Sequence, residues 1–194
     1  ELHNLGMHRG MGRYGGGIFA ESSDLIASNL RIWESMADKG AGMYLYATDA
    51  TMDGIELHRN GSQWIQRSCG LYSYSGKLML TNSTVEGNVS YTDGSGMEII
   101  GEAALYNCLI QDNRSFVGDF SGAVRCTEGP LTMVNCQILD NEGTSSPGLH
   151  VTGEFTLLNC LFARSYGNGN GLAVGAREAT GTIRHCTFAD HESY

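Results

Sequence analysis

Two aspartates are the first residues whose type and spacing suggest chemistry. Asp93 and Asp119 each stand three positions before a glycine, Gly96 and Gly122, in segments that repeat one another. If those segments stack, the two carboxylates lie one above the other, and close like charges raise one of the two pKa values, as in an acid–base dyad. Glu98 and Arg125 are near in sequence. A glycoside hydrolase needs an acid and a base about 5–9.5 Å apart. A lyase needs a base and usually carboxylates that hold Ca²⁺. The simpler reading is that Tyr91-Thr92-Asp93-Gly94 is an Asp-Gly turn and Asp119 its counterpart. No Asp/Asp/His/Arg set clusters on one strand face, so no catalytic residue, metal ligand or cofactor is assigned.

Three further sets repeat. Cys108, Cys136, Cys160 and Cys186 recur 28, 24 and 26 residues apart, too widely for the paired spacing of a zinc site. They read as an inward stack of small, soft side chains. Adjacent members could also be close enough for one or two disulfides. Cys69 and Cys126 have no partner by column. Asn60, Asn82, Asn88 and Asn113 each begin an N-x-Ser/Thr sequon, and three of them share one turn column where a glycan would project into solvent. Phe19, Tyr44, Tyr46, Tyr72 and Tyr74 fall on alternate positions of three successive segments, which puts five rings on one outer face. Such a face suits flat sugars or a protein partner, unless the N-terminal segment Glu1 to Tyr14 or a neighbouring loop covers it.

The elements that position these residues are the repeats. A glycine before an apolar strand recurs at Gly17, Gly42, Gly70, Gly96, Gly122, Gly148 and Gly171, at spacings of 25, 28, 26, 26, 26 and 23 residues. A second strand follows about ten residues later, clearest in Leu105–Ile110, Met133–Ile138, Leu157–Phe162 and Thr182–Phe188. Both alternate apolar and polar with period two, and Gly, Asn, Asp and Ser fill the gaps, so they are strands joined by turns. One such coil cannot bury its own apolar face, whereas stacked coils can. The chain therefore predicts an all-β, single-stranded right-handed parallel β-helix of about seven coils, with the hand taken from the crossover rule. At the inter-strand spacing the rod is roughly 30 Å long.

Aligned coils become columns. Ile18, Met43, Leu71, Met97, Ala123, Leu149 and Leu172 are expected inside, and so are Ala20, Leu45, Ser73, Ile99, Arg125, Val151 and Val174. Arg125 is the misfit: either the register slips there or the arginine finds a partner. Asn29, Asn82, Asn107, Asn135 and Asn159 form a column expected to hydrogen-bond along the rod. Residues 1–16 read as a lead-in or partial coil and 17–194 as the β-helix, a segment of a longer rod.

The Asn-Cys-x-Ile/Phe pattern resembles the general right-handed parallel β-helix repeat. Gly15-Gly16-Gly17-Ile18 and the apolar-x-x-Asn series Leu57–Asn60, Val85–Asn88, Ile110–Asn113 and Ile138–Asn141 are similar to the repeats of polymorphic outer-membrane autotransporter passengers. The departures are a double glycine in one coil only and no true Phe-x-x-Asn. The resemblance implies a surface adhesin.

Composition narrows the partners. Gly is high at 27, Pro low at 2 and charged residues make up 17%, which excludes a disordered tail and a collagen. A net charge of −9 repels phosphate backbones, so nucleic acid is not an expected partner. No apolar run reaches the ~20 residues of a membrane-spanning helix. The expectation is an extracellular or cell-surface structural or adhesive rod. Its partners would be further coils, other copies or glycans, and with glycans attached it would be a filament or coat glycoprotein. The alternatives are a polysaccharide-binding or polysaccharide-degrading β-helix and a phage tail-spike fragment.

Overall fold

The computed structural model describes residues 1–61, 69–91, 94–117, 123–167 and 173–193. Every strand pairing among them is parallel and joins one coil to the next. The described residues form about seven stacked turns of a β-solenoid. Each coil presents up to four short strand segments. The first face holds Ile18–Glu21, Met43–Tyr46, Val124–Thr127 and the opening residues of Leu71–Thr81, Met97–Tyr106, Leu149–Leu158 and Val174–Arg184. The second face is made by the later residues of those long strands together with Leu131–Val134 and the opening residues of Asp24–Trp33 and Asp49–His58, whose closing residues lie on the third. The third face holds Thr84–Glu86, Leu109–Gln111, Gln137–Leu139, Leu161–Ala163 and Thr187–Ala189. Residues 1–14 add Leu2–His8 in register with Asp24–Trp33, and Met11–Tyr14 in register with Met36–Lys39.

Period two drives the packing. In Asp24–Trp33, Leu25, Ala27, Leu30 and Ile32 point in and are buried. The same columns continue as Ala50, Met52, Ile55 and Leu57, and later as Leu131, Met133, Cys136 and Ile138. Each large aliphatic side chain removed from water contributes about 1.5–3 kcal/mol. The repeat multiplies that gain along one continuous core.

The bend between the second and third faces needs one left-handed residue per coil. Asn29, Asn82, Asn107, Asn135 and Asn159 supply it in five coils with φ between 48° and 55°, and Gly54 and His185 take the place in two others. Asparagine tolerates that region better than bulkier side chains. Their amides form the expected exposed ladder: Asn107 donates to Asn82 at 3.1 Å, Asn135 to Asn107 at 3.2 Å and Asn159 to Asn135 at 3.3 Å.

Two register expectations are corrected. Val124, not Ala123, sits beside Met97 and Leu149, and Val174 is the next member of that column. The expected member Leu172 lies outside the described residues. A one-residue slip exchanges the faces of a strand. Cys126 therefore takes the inward place between Ile99 and Val151, and Arg125 points outward.

Candidate functional site

The corrected register defines the outer surface of the first face. Its central column runs Phe19, Tyr44, Tyr72, Glu98, Arg125, His150. The neighbouring outward column runs Glu21, Tyr46, Tyr74, Ile100, Thr127. Ring centroids stack at 5.7 Å for Phe19–Tyr44, 5.2 Å for Tyr44–Tyr72 and 5.5 Å for Tyr46–Tyr74.

The five rings do not form one open platform. Tyr44 and Tyr72 are buried, at 8% and 2% exposure, whereas Phe19, Tyr46 and Tyr74 remain exposed. Tyr14 of the first residues packs on Tyr44 at 4.9 Å, the Lys39 ammonium lies over the Tyr72 ring, and Cys69 and Ile100 close a small apolar cluster outside the main core. Burial pushes the Tyr44 phenol above its ordinary pKa. Stacking also spends ring faces on one another. The exposed pair Tyr46–Tyr74, only 3° from parallel, therefore shares the face between its two rings.

Where the rings stop, the column turns ionic. Glu98 is 0% exposed and accepts a hydrogen bond from Arg125 at 2.8 Å, and His150, one coil further, is buried. A charge removed from water persists only when it is paired. The carboxylate in turn acts on its surroundings: burial first, and then the charge of Glu98, push the Cys69 thiol well above its usual range. Carboxylate, guanidinium and imidazole thus follow one another on consecutive coils in one column. A two-carboxylate hydrolase would need a second acid. The candidates Asp93 and Asp119 lie outside the described residues. Among the described residues, no group of three His, Cys, Asp or Glu could hold a metal ion, and no helix is long and apolar enough to cross a membrane.

The sequon column requires correction. Asn60, Asn88 and Asn113 do not project into solvent, because all three are 0% exposed. With Asn141 they form a second, internal ladder. Asn60 Nδ2 donates to Ile32 O and Asn88 Oδ1, Asn88 Nδ2 to Leu57 O and Asn113 Oδ1, and Asn113 Nδ2 to Val85 O and Asn141 Oδ1. Both amide hydrogens are in use, and an N-linked glycan replaces one of them. Asn82 alone of the four is exposed. This ladder was missed in the sequence, although the apolar-x-x-Asn series marks its members.

Cys108, Cys136, Cys160 and Cys186 do share one column, and all six cysteines are free. Each stacked thiol donates to the carbonyl two residues earlier, for example Cys136 to Val134 O at 3.4 Å. Contact with Cys136 lowers the Cys108 pKa, and contact with Cys108 pushes Cys136 up to about 12.

The model of the right-handed β-helix region matches residues 82–194. No curated protein matches the chain. The match covers more than half of the sequence, and the same coil geometry continues through the described residues before it. The chain belongs to the right-handed β-helix family.

Proposed function

We propose that this protein is an extracellular or cell-surface rod that works by presenting a rigid, repeating surface, as structural or adhesive proteins of this architecture do. One observation carries the reading. Among the described residues, all six Arg or Lys pairs with a carboxylate join adjacent coils, including Arg31–Glu56, Lys77–Glu102, Arg114–Glu142 and Arg164–Asp140. Pairs that run along the axis tie each coil to the next, and each exposed one contributes about 0–1 kcal/mol, so their value lies in fixing register more than in stability. Phe19, Tyr46 and Tyr74 are the exposed rings that such a scaffold offers a polysaccharide or protein partner. The exposed apolar side chains of the last described coil, Ile183 and Phe188, suit a further coil or a second copy. The autotransporter-like repeats favour an adhesin, and a coat or filament component is consistent with the same geometry.

The test is retention on insoluble polysaccharides. Binding that falls at least tenfold in a Tyr46→Ala/Tyr74→Ala variant of unchanged circular dichroism supports the adhesive reading. Retention unaffected by the double substitution removes the rings from it. The Glu98–Arg125–His150 column supports a second reading, a polysaccharide-degrading β-helix. Release of reducing or unsaturated ends in the same assay, lost in Glu98→Gln, would establish that instead. If a eukaryotic host secretes the protein, Asn82 is the sequon at which mass spectrometry should find a glycan on folded material.

A further inference from the structure

We propose that Cys186 is an oxidation site and Cys160 its resolving thiol, so that a small disulfide oxidant staples the last two described coils together. Leu161 and Thr187 are in parallel register, so the two cysteines that precede them stand side by side one coil apart. Their Cα atoms are then separated by about 4.8 Å, within the range of about 4.4–6.8 Å that a disulfide spans without backbone movement. The Cys186 sulfur already leans toward its neighbour and accepts a hydrogen bond from the Cys160 backbone N–H at 3.4 Å.

Accessibility sets the order of events. Cys186 is partly exposed, whereas Cys108, Cys136 and Cys160 are buried. Cys69 and Cys126 are buried as well, and Cys126 has Ile99 and Val151 as its column neighbours. A reagent from solvent therefore meets Cys186 first. The deprotonated Cys186 attacks one sulfur of oxidised glutathione, forms a mixed disulfide and releases one glutathione thiolate. Cys160, deprotonated and turned about its Cα–Cβ bond, then attacks the Cys186 sulfur and expels the second glutathione. Two protein thiols are oxidised to one disulfide and one glutathione disulfide is reduced to two thiols. Contact with Cys136 and then burial hold Cys160 in its thiol form, which makes the second step the slower one.

The staple stands independently of any ligand of the rod. The test is incubation of the native protein with oxidised glutathione, followed by an intact mass and a non-reducing peptide map. The expected result is a mass lower by two hydrogens, a linked Cys160–Cys186 peptide and unmodified Cys108 and Cys136. Cys186→Ser should abolish the reaction, and Cys160→Ser should trap glutathione on Cys186. A wild-type protein that keeps glutathione on Cys186, stays fully reduced, or links another pair overturns the proposal. The wild-type map is decisive even if a serine variant fails to fold.

Discussion

Asn88 Oδ1 accepts two hydrogen bonds from Asn60 in the neighbouring coil, one from the backbone N–H at 2.9 Å and one from the side-chain amide at 3.1 Å. The relation repeats at Asn113 and Asn141, so the chain carries a buried polar file parallel to its apolar core. Asn88→Ala removes the acceptor for both donors and leaves the Leu57 carbonyl without the amide that it meets at 3.0 Å. Leaving a buried polar group unmet costs about 1–3 kcal/mol. A loss of about 3 kcal/mol in denaturant unfolding is expected, and a loss below 1 kcal/mol would mean that water replaces the amide.

The Phe155 ring fills volume that its neighbour in the next coil gives up. Phe155 and Gly181 are in register, and a Cβ on Gly181 would come within 2.4 Å of the ring. Gly181→Ala should destabilise by about 1–3 kcal/mol, the usual cost of overpacking. Phe155→Leu makes room, so the two changes together should cost less than their sum in a double-mutant cycle. Strict additivity would show that the ring simply swings aside.

How far these contacts were legible in the sequence depended on the residue. The coils were legible because a period of two and a recurring glycine both survive changes in turn length. The register at Val124 was not, because Ala123 and Val124 are both apolar and either can open an inward column. That one-residue ambiguity hid the alignment of Arg125 with Glu98. Alternation placed Tyr44 and Tyr72 outside the lumen correctly, but a solenoid's outer face can itself be covered. What covers it, Tyr14 included, comes from elsewhere in the chain. Asn60 read as a turn residue because asparagine favours turns, and its burial follows only once Asn88 is known to stand beside it.

His191 links acid to the stability of the last coil. Its Nδ1 accepts a hydrogen bond from the Ser165 N–H at 3.2 Å, so the fold needs that nitrogen unprotonated. Burial lowers its pKa below the ordinary 6.5, outweighing the opposing backbone hydrogen bond at Phe162 and the charge of Asp190. Because the folded pKa is depressed, the contribution is fully present above about pH 6.5 and is lost as pH falls through the lower, folded value. The protection factor of the Ser165 amide, taken relative to the intrinsic exchange rate at each pH, should fall by about fivefold over that interval, the equivalent of one hydrogen bond of about 1 kcal/mol. His191→Asn, which offers an amide oxygen at the same place, should abolish the pH dependence. A profile unchanged by that substitution would assign the effect to another group.

Arg125 and Glu98 distinguish a pair kept for stability from one kept for a ligand. Arg125→Ala takes the guanidinium from a carboxylate that is 0% exposed, and breaking a buried pair costs about 3–5 kcal/mol. Replacing both members, Glu98→Leu with Arg125→Met, removes the charges together and should recover most of that loss, because well-packed apolar pairs often match buried ionic ones. Chemical denaturation of the two single variants and the double variant measures the coupling, and single losses below 1 kcal/mol would show that the pair is well solvated. The double variant also bears on function. A folded Glu98→Leu/Arg125→Met protein that binds polysaccharide as well as the wild type makes the pair structural, and the rings Phe19, Tyr46 and Tyr74 keep the adhesive role. A folded double variant that has lost binding or turnover places the ligand on the Glu98–Arg125–His150 column.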